Sequence, residues 1–235
     1  RHLPRWLLLL AGILLAGVVS LHWLKRHPAY DGWAPLTLSQ PVTWATPIKL
    51  ARLAARPAQC RQRLDQAGVA FEALSAMGHG QCRANGRTRL LSSAQWPITL
   101  HPSGVAPNCA VSAALLLWLR DGVQPAAQRY FGQRVIGIDH LGSYNCRVMR
   151  GQPAGGRWSE HASGNAIDIA AFTLADGRRI SLLHDWHGAG KKAAFLHAVR
   201  DDSCRLFATT LSPDYNAAHA NHLHLDMAPR AFYWP

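Results

Sequence analysis

Two short segments hold residues whose types and spacing could do chemistry. One runs Ser159-Glu-His161-Ala-Ser-Gly164-Asn-Ala-Ile-Asp168, and the other runs His219-Ala-Asn-His222-Leu-His224. Together they offer two imidazoles and a carboxylate. That set can hold a zinc ion and leave one coordination position open, the layout used for hydrolysis. A lone histidine is ordinarily a surface or hydrogen-bonded core residue. Here three histidines fall within one strand-like segment, with a His-to-Asp pair upstream, and the joint pattern points to a metal.

The spacing also says how the residues would be presented. Gly164 lacks a side chain, so the chain can turn after His161. The following Asn165-Ala-Ile-Asp-Ile-Ala170 reads as a strand with β-branched residues at 167 and 169. Side chains alternate along a strand, so Ile167 and Ile169 should face a core and Asp168 a cleft. By the same rule His222, His224 and Asp226 share one face of the second segment, and Leu223 and Leu225 share the other. If the two strands are neighbours, His161, Asp168 and a histidine of the second segment can meet at one point.

The elements that must position these residues are legible in outline. Lys49 to about Gly68 has helical periodicity, and Cys109 to Phe131 reads as a strong Ala- and Leu-rich helix opened by Pro107-Asn108. Strand candidates lie near residues 69–74, 89–91, 98–100 and 135–139. Asp176-Gly177 signals a hairpin turn between the signature strand and Ile180-Ser-Leu-Leu183. Residues 191–207 form an amphipathic helix. Helices before and between hairpin-joined strands predict an α+β fold: a small antiparallel sheet carrying the zinc site, flanked by helices, with a transmembrane helix at the N-terminus.

Residues 1–26 read as a membrane anchor or, with Val18-Val-Ser20 as a weak cleavage site, a signal. Arg5 precedes an apolar run from Leu7 to Leu24, broken by Ser20 and His22 and closed by Lys25 and Arg26. This is close to the ~20 residues that cross a bilayer, and longer than the ~7–15 of a cleaved signal's apolar region. An uncleaved inner-membrane anchor is expected, with the body in the periplasm. Residues 27–48 carry prolines at 28, 35, 41 and 47 and read as a tether, and 49–235 as the domain that bears the site. The 25 Lys and Arg against 13 Asp and Glu give +12, which suits anionic partners. The basic residues are scattered, and no nucleic-acid partner is expected. The same charge with clustered histidines is what a metal-dependent nuclease would show, but an exported body argues against it. Cysteines 60, 82, 109, 146 and 204 lack the Cys-x-x-Cys spacing of a thiolate zinc site. In an exported body disulfides follow. The pairing expected here is Cys60–Cys82 and Cys146–Cys204, with Cys109 left over, although connectivity cannot be deduced from sequence.

The first segment fits the Ser-x-His-x-x-Gly-x-Ala-x-Asp signature of zinc peptidases related to D-alanyl-D-alanine carboxypeptidases, and the second resembles the closing His-x-His motif of that superfamily in its murein endopeptidase branch. More closely, residues from about Lys49 to Met227 resemble the bacterial extensin-like C-terminal domain family. Leu141-Gly-Ser-Tyr-Asn-Cys-Arg147, Ser159-Glu-His-Ala162, Asn165-Ala-Ile-Asp-Ile-Ala170 and Ser212-Pro-Asp-Tyr-Asn216 carry that likeness. The resemblance implies zinc held by His161, Asp168 and His224. It implies His222 as the base, where the carboxypeptidase branch has a glutamate, with His219 assisting. Arg147 would bind a substrate carboxylate or stabilise a developing oxyanion. Asp226 would accept from an imidazole N–H, and Ser159 and Glu160 would shape the cleft without chemistry. The function implied is zinc-dependent cleavage of peptide bonds in peptidoglycan. The alternative is a zinc-containing wall-binding module of the same fold that has lost turnover.

Overall fold

A computed structural model describes residues 4–153 and 155–228. Residues 1–3 of the expected anchor and 229–235 of the expected domain lie outside the described residues. The fold is mixed α+β, with helices packed on a six-stranded sheet and a separate two-stranded ribbon. Helix α1 (Arg5–Arg26) is long and apolar enough to cross a membrane, and none of it is buried.

The helical stretch expected over 49–68 is two helices, α2 (Thr46–Ala54) and α3 (Pro57–Gln66). Pro57 is the reason. The residue before a proline is pushed out of the α region, and Arg56 sits at φ −132°, ψ 66°. Pro57 itself suits the first turn of α3, where no backbone donor is needed. Between α1 and α2, Leu36 and Leu38 are buried in the core cluster, and Arg120 donates to the carbonyls of Leu38 and Gln40. The proline-containing segment therefore packs on the body.

Every residue of α4 (Cys109–Trp118) is buried. The Asn108 side chain caps it, accepting from the Val111 N–H at 3.0 Å. A π-helical turn (Leu119–Val123) joins α4 to α5 (Gln124–Phe131). Trp118 fixes α4 against the rest of the core. Its ring meets Phe172 edge-on at 5.8 Å, and its indole N–H donates to the Val199 carbonyl of α7 (Lys191–Ser203), the helix after the single turn α6 (Leu182–Asp185).

Strands β1 (Phe71–Ala73) and β2 (Thr88–Leu90) form the ribbon. The main sheet runs β3 (Thr99–His101), β4 (Val135–Gly142), β5 (Ala166–Leu174), β8 (Leu223–Asp226), β7 (Thr209–Leu211). Strand β6 (Arg179–Ser181) adds to the far half of the β5 edge that β8 occupies. The sheet is larger than the small one expected, and it is not wholly antiparallel, because β3 pairs parallel to β4. Strand candidates at 98–100 and 180–183 correspond to β3 and β6, whereas the three residues of β7 are too few to display an alternating pattern and no strand is expected there.

Two irregularities in the β4–β5 pairing matter for the site. Asp139 pairs with Ala171 but His140 with Ile169, so β5 carries an extra residue, Ala170. A strict two-residue alternation would put Phe172 on the face of Asp168. The bulge changes the phase, and Ile167, Ile169, Phe172 and Leu174 are all fully buried in one core. Leu141 is then extra on β4, and Gly142 follows at φ 118°, a conformation open to glycine, which turns the chain into the loop behind the site.

The disulfides differ from the expected pairing. Cys60 bonds Cys109, joining α3 to the start of α4, and Cys82 bonds Cys146, joining the 3₁₀ turn Gly80–Cys82 to the loop after β4. Cys204 is free and exposed at the end of α7. The expected Cys60–Cys82 and Cys146–Cys204 pairs are absent, because sequence spacing does not fix connectivity. Tertiary packing decides instead, because α3 lies against α4 and the 3₁₀ turn against the loop.

Candidate metal centre

Strands β5 and β8 are antiparallel neighbours in the register that sets Asp168 opposite His224. Ile167 and Ile169 are fully buried while Asp168 lines a cleft, as the alternation requires. His161 reaches the same point from a 3₁₀ turn (Glu160–Ser163). Ser159 caps that turn, its hydroxyl accepting from the His161 N–H, and Gly164 ends it at φ 68°. The Gly164 carbonyl then accepts from the Asn108 N–H at 2.8 Å, which ties the turn to the start of α4.

The three side chains meet closely. His161 Nε2 is 3.1 Å from Asp168 Oδ1 and 3.0 Å from His224 Nδ1, and His224 Nδ1 is 2.9 Å from Asp168 Oδ1. The outer nitrogens are already engaged. His161 Nδ1 lies 3.0 Å from the Ser143 carbonyl, which can only accept, so that nitrogen carries the hydrogen. His224 Nε2 lies 3.0 Å from Asp226 Oδ2 and donates to it. Asp226 is held in turn by the Ala228 N–H. With neutral rings, three lone-pair-bearing atoms converge without a proton among them, and only a positive charge relieves their repulsion. Ligand atoms of a tetrahedral zinc at ~2.0–2.1 Å would lie about 3.3–3.4 Å apart, within a few tenths of an ångström of the spacing here. The donor set and its carboxylate and carbonyl supports therefore fit a divalent metal.

Without a metal, a proton meets part of this demand. Burial opposes charge on His224, but hydrogen bonds and charges from Asp168 and Asp226 outweigh it and push the imidazole up to about 9. Burial alone would raise the Asp168 carboxyl. Hydrogen bonds from His161 and His224, with the charges of His161 and His222, hold it instead well below the usual carboxylate range.

The remaining expected residues surround the same cleft of about 540 Å³. His222 Nε2 stands 3.6 Å from Asp168 Oδ1, and its Nδ1 faces Asn221 Oδ1 at 2.8 Å. Burial and the neighbouring imidazoles push His222 down despite Asp168. The His219 ring lies 5.1 Å from that of His222 and 5.9 Å from that of His224. Asn216 Oδ1 orients His219 at 2.7 Å, and burial with the charges of His222 and His224 lowers its pKa to about 4. Arg147 lines the cleft, and its buried Nε has no partner among the described residues. Glu160 does not face the cleft as a free base, because its carboxylate accepts from Asn165 Nδ2 at 2.5 Å and braces the turn.

Sequence reading missed four groups. The Ser143 carbonyl is backbone and carries no residue signal. Asn216 and Asn221 fix the rings of His219 and His222, and their positions three before and one before a histidine were the available clue. Arg150, three residues after Arg147 on the same loop, also lines the cleft, and its charge helps to depress His219 and His222.

Fold and cluster define an α+β protein with a two-histidine, one-carboxylate centre at a strand pair. The chain belongs to the family described as extensin-like protein C-terminus, whose model matches residues 58–234. No curated protein and no solved structure matches it.

Proposed function

We propose that this protein is a zinc-dependent peptidase that cleaves peptide bonds of peptidoglycan in the cell envelope. The observation that carries the reading is the convergence of His161 Nε2, Asp168 Oδ1 and His224 Nδ1, with both histidines anchored through their other nitrogens. Those three atoms would hold the metal. Zinc supplies Lewis acidity and lowers the pKa of water from about 15.7 toward about 7.

The chain's own residues do the rest. His222 is neutral at neutral pH and has Nε2 beside the cluster, so it can take a proton at that atom. Asn221 holds its other nitrogen. His219 is likewise neutral and sits where the ring could pass a proton onward to a departing amine. Arg147 brings a guanidinium to the same wall, suited to a carboxylate or a developing oxyanion. The cleft, about 540 Å³ in volume, is of a size that would receive a short peptide segment. The two disulfides and the apolar α1 agree with an oxidising compartment at a membrane.

Incubation of the purified protein with isolated peptidoglycan and with soluble muropeptides, read by mass spectrometry, tests this. New amine and carboxylate termini, abolished by chelator and restored by zinc, are expected. Zinc-loaded protein that binds the wall polymer but releases no fragment under any of these conditions would overturn it in favour of a binding module.

A further inference from the structure

Another groove lies on the α2–α3 face, against the segment that follows α1. It has a volume of about 240 Å³ and is walled by Trp33 and Leu36 on one side and by Arg52, Arg56, Gln59 and Arg63 of α2 and α3 on the other. The arginines of the molecule divide into those with a carboxylate partner and those without one. Arg89, Arg120, Arg178, Arg179, Arg200 and Arg205 each have a carboxylate partner. Among the described residues the groove's Arg52, Arg56 and Arg63 have none, as is also true of Arg83, Arg87, Arg129 and Arg134 elsewhere, although Arg52 and Arg63 donate to neutral oxygens. Residues 25–66 carry seven Lys and Arg against two Asp, a net +5 within the total of +12.

Aromatic rings accompany the charge. Trp33 is 85% exposed and carries the Arg52 guanidinium over its ring at 4.3 Å. Trp44 is 64% exposed, and Trp23, in the last turn of α1, lies 5.4 Å from Tyr30. Exposed tryptophans of this size are costly in water. Together with unneutralised arginines they suit the boundary between lipid tails and headgroups, where aromatic rings sit at headgroup depth and basic side chains meet phosphate. The chain provides the proximity, since Trp33 follows the end of α1 by only seven residues. The segment between α1 and α2 is also fixed to the body, with Lys49 Nζ donating to the Pro28 carbonyl at 2.6 Å and Thr43 Oγ1 to that of Ala29. A membrane-inserted α1 would therefore hold the α2–α3 face close to the bilayer surface.

We propose that the α2–α3 groove with Trp33 is a docking surface for anionic phospholipid headgroups. It orients the body on the bilayer that α1 crosses, with the phosphates seated among Arg52, Arg56 and Arg63. This goes beyond the peptidase reading and does not depend on it. It rests on α1 being inserted in a membrane.

The test uses the full chain in nanodiscs of phosphatidylcholine alone or of phosphatidylcholine mixed with phosphatidylglycerol, read by amide hydrogen exchange resolved by peptide. Residues 46–66 should exchange more slowly in the anionic discs. Each of Arg52→Gln, Arg56→Gln and Arg63→Gln should weaken that docking by about fivefold, as one basic contact with an anionic surface does. Equal exchange of 46–66 in both discs, with the α1 amides protected in both, overturns the docking surface and leaves the anchor standing. Fast exchange of α1 in both discs overturns the anchor and the proposal together. Protection of 46–66 that requires a soluble anionic wall polymer, and is indifferent to lipid, also overturns it.

Discussion

Asp168 and His224 face each other across β5 and β8, with Oδ1 and Nδ1 2.9 Å apart, and Asp226 holds the far nitrogen of the same imidazole at 3.0 Å. One ring is thus clamped between two carboxylates. In the neutral ring Asp226 accepts from Nε2–H, which leaves the lone pair of Nδ1 facing Asp168 and His161. Replacing Asp226 with Asn should leave the fold intact and reduce zinc affinity by roughly 10–100-fold, the usual effect of losing such a support. Competition with a chromophoric chelator measures this, and unchanged affinity would remove Asp226 from the account.

His222 and His224 are two residues apart and point into one cleft, yet they make different contacts. His222→Ala should keep zinc and lower turnover by about 10²–10⁴-fold, as expected for a lost proton acceptor. His224→Ala should lose the metal. If His222→Ala lost zinc while His224→Ala kept it, the two roles would be exchanged.

The segments that carry the chemistry were readable because their signals are local. Alternation placed Asp168 opposite in sense to Ile167 and Ile169, and it placed His224 and Asp226 on a common face. The readable part stopped where the information is not local. The parallel β3–β4 pair and the division of one β5 edge between β8 and β6 are set by packing across distant parts of the chain. The bulge at Ala170 breaks the period on which strand reading depends, so Phe172 enters the core with Ile169 although it is three residues away. Disulfide partners follow the same rule. Cys82 finds Cys146 across 64 positions because a 3₁₀ turn packs beside the loop after β4.

That bridge has a consequence for the site. Cys146 is three residues after Ser143, whose carbonyl orients His161. Replacing Cys82 and Cys146 with Ala should cost about 2–5 kcal/mol of stability and weaken zinc binding. Replacing Cys60 and Cys109 should lower stability by a similar amount and leave zinc affinity nearly unchanged. Alkylation of the unreduced native protein should modify Cys204 alone, as read by peptide mass spectrometry. Modification at Cys109 would contradict the connectivity.

His140 offers a pH handle away from the cluster. Its ring is buried on β4 with Nε2 2.8 Å from the Pro102 carbonyl. Burial pushes its pKa down, against that hydrogen bond and the charge of Asp139, while His101 lowers it further. In the unfolded chain a histidine titrates near 6.5. Below that value the unfolded state takes up a proton that the native state resists. The contribution is therefore complete above about 6.5 and is lost as pH falls. His140→Gln, which keeps a donor for Pro102, should flatten the fall in denaturation midpoint between about pH 6.5 and 5, by at most about 1.4 kcal/mol per pH unit. Parallel curves for the two proteins would show that His140 is not responsible.

The most direct test of the whole account is the metal content of the purified full chain and three variants, measured by inductively coupled plasma mass spectrometry. The unaltered protein should carry about one equivalent of zinc. His161→Ala, Asp168→Ala and His224→Ala should carry almost none, with their circular dichroism spectra retained. A native protein that binds no divalent metal when zinc is supplied, or variants that hold zinc as well as the native chain does, would contradict it.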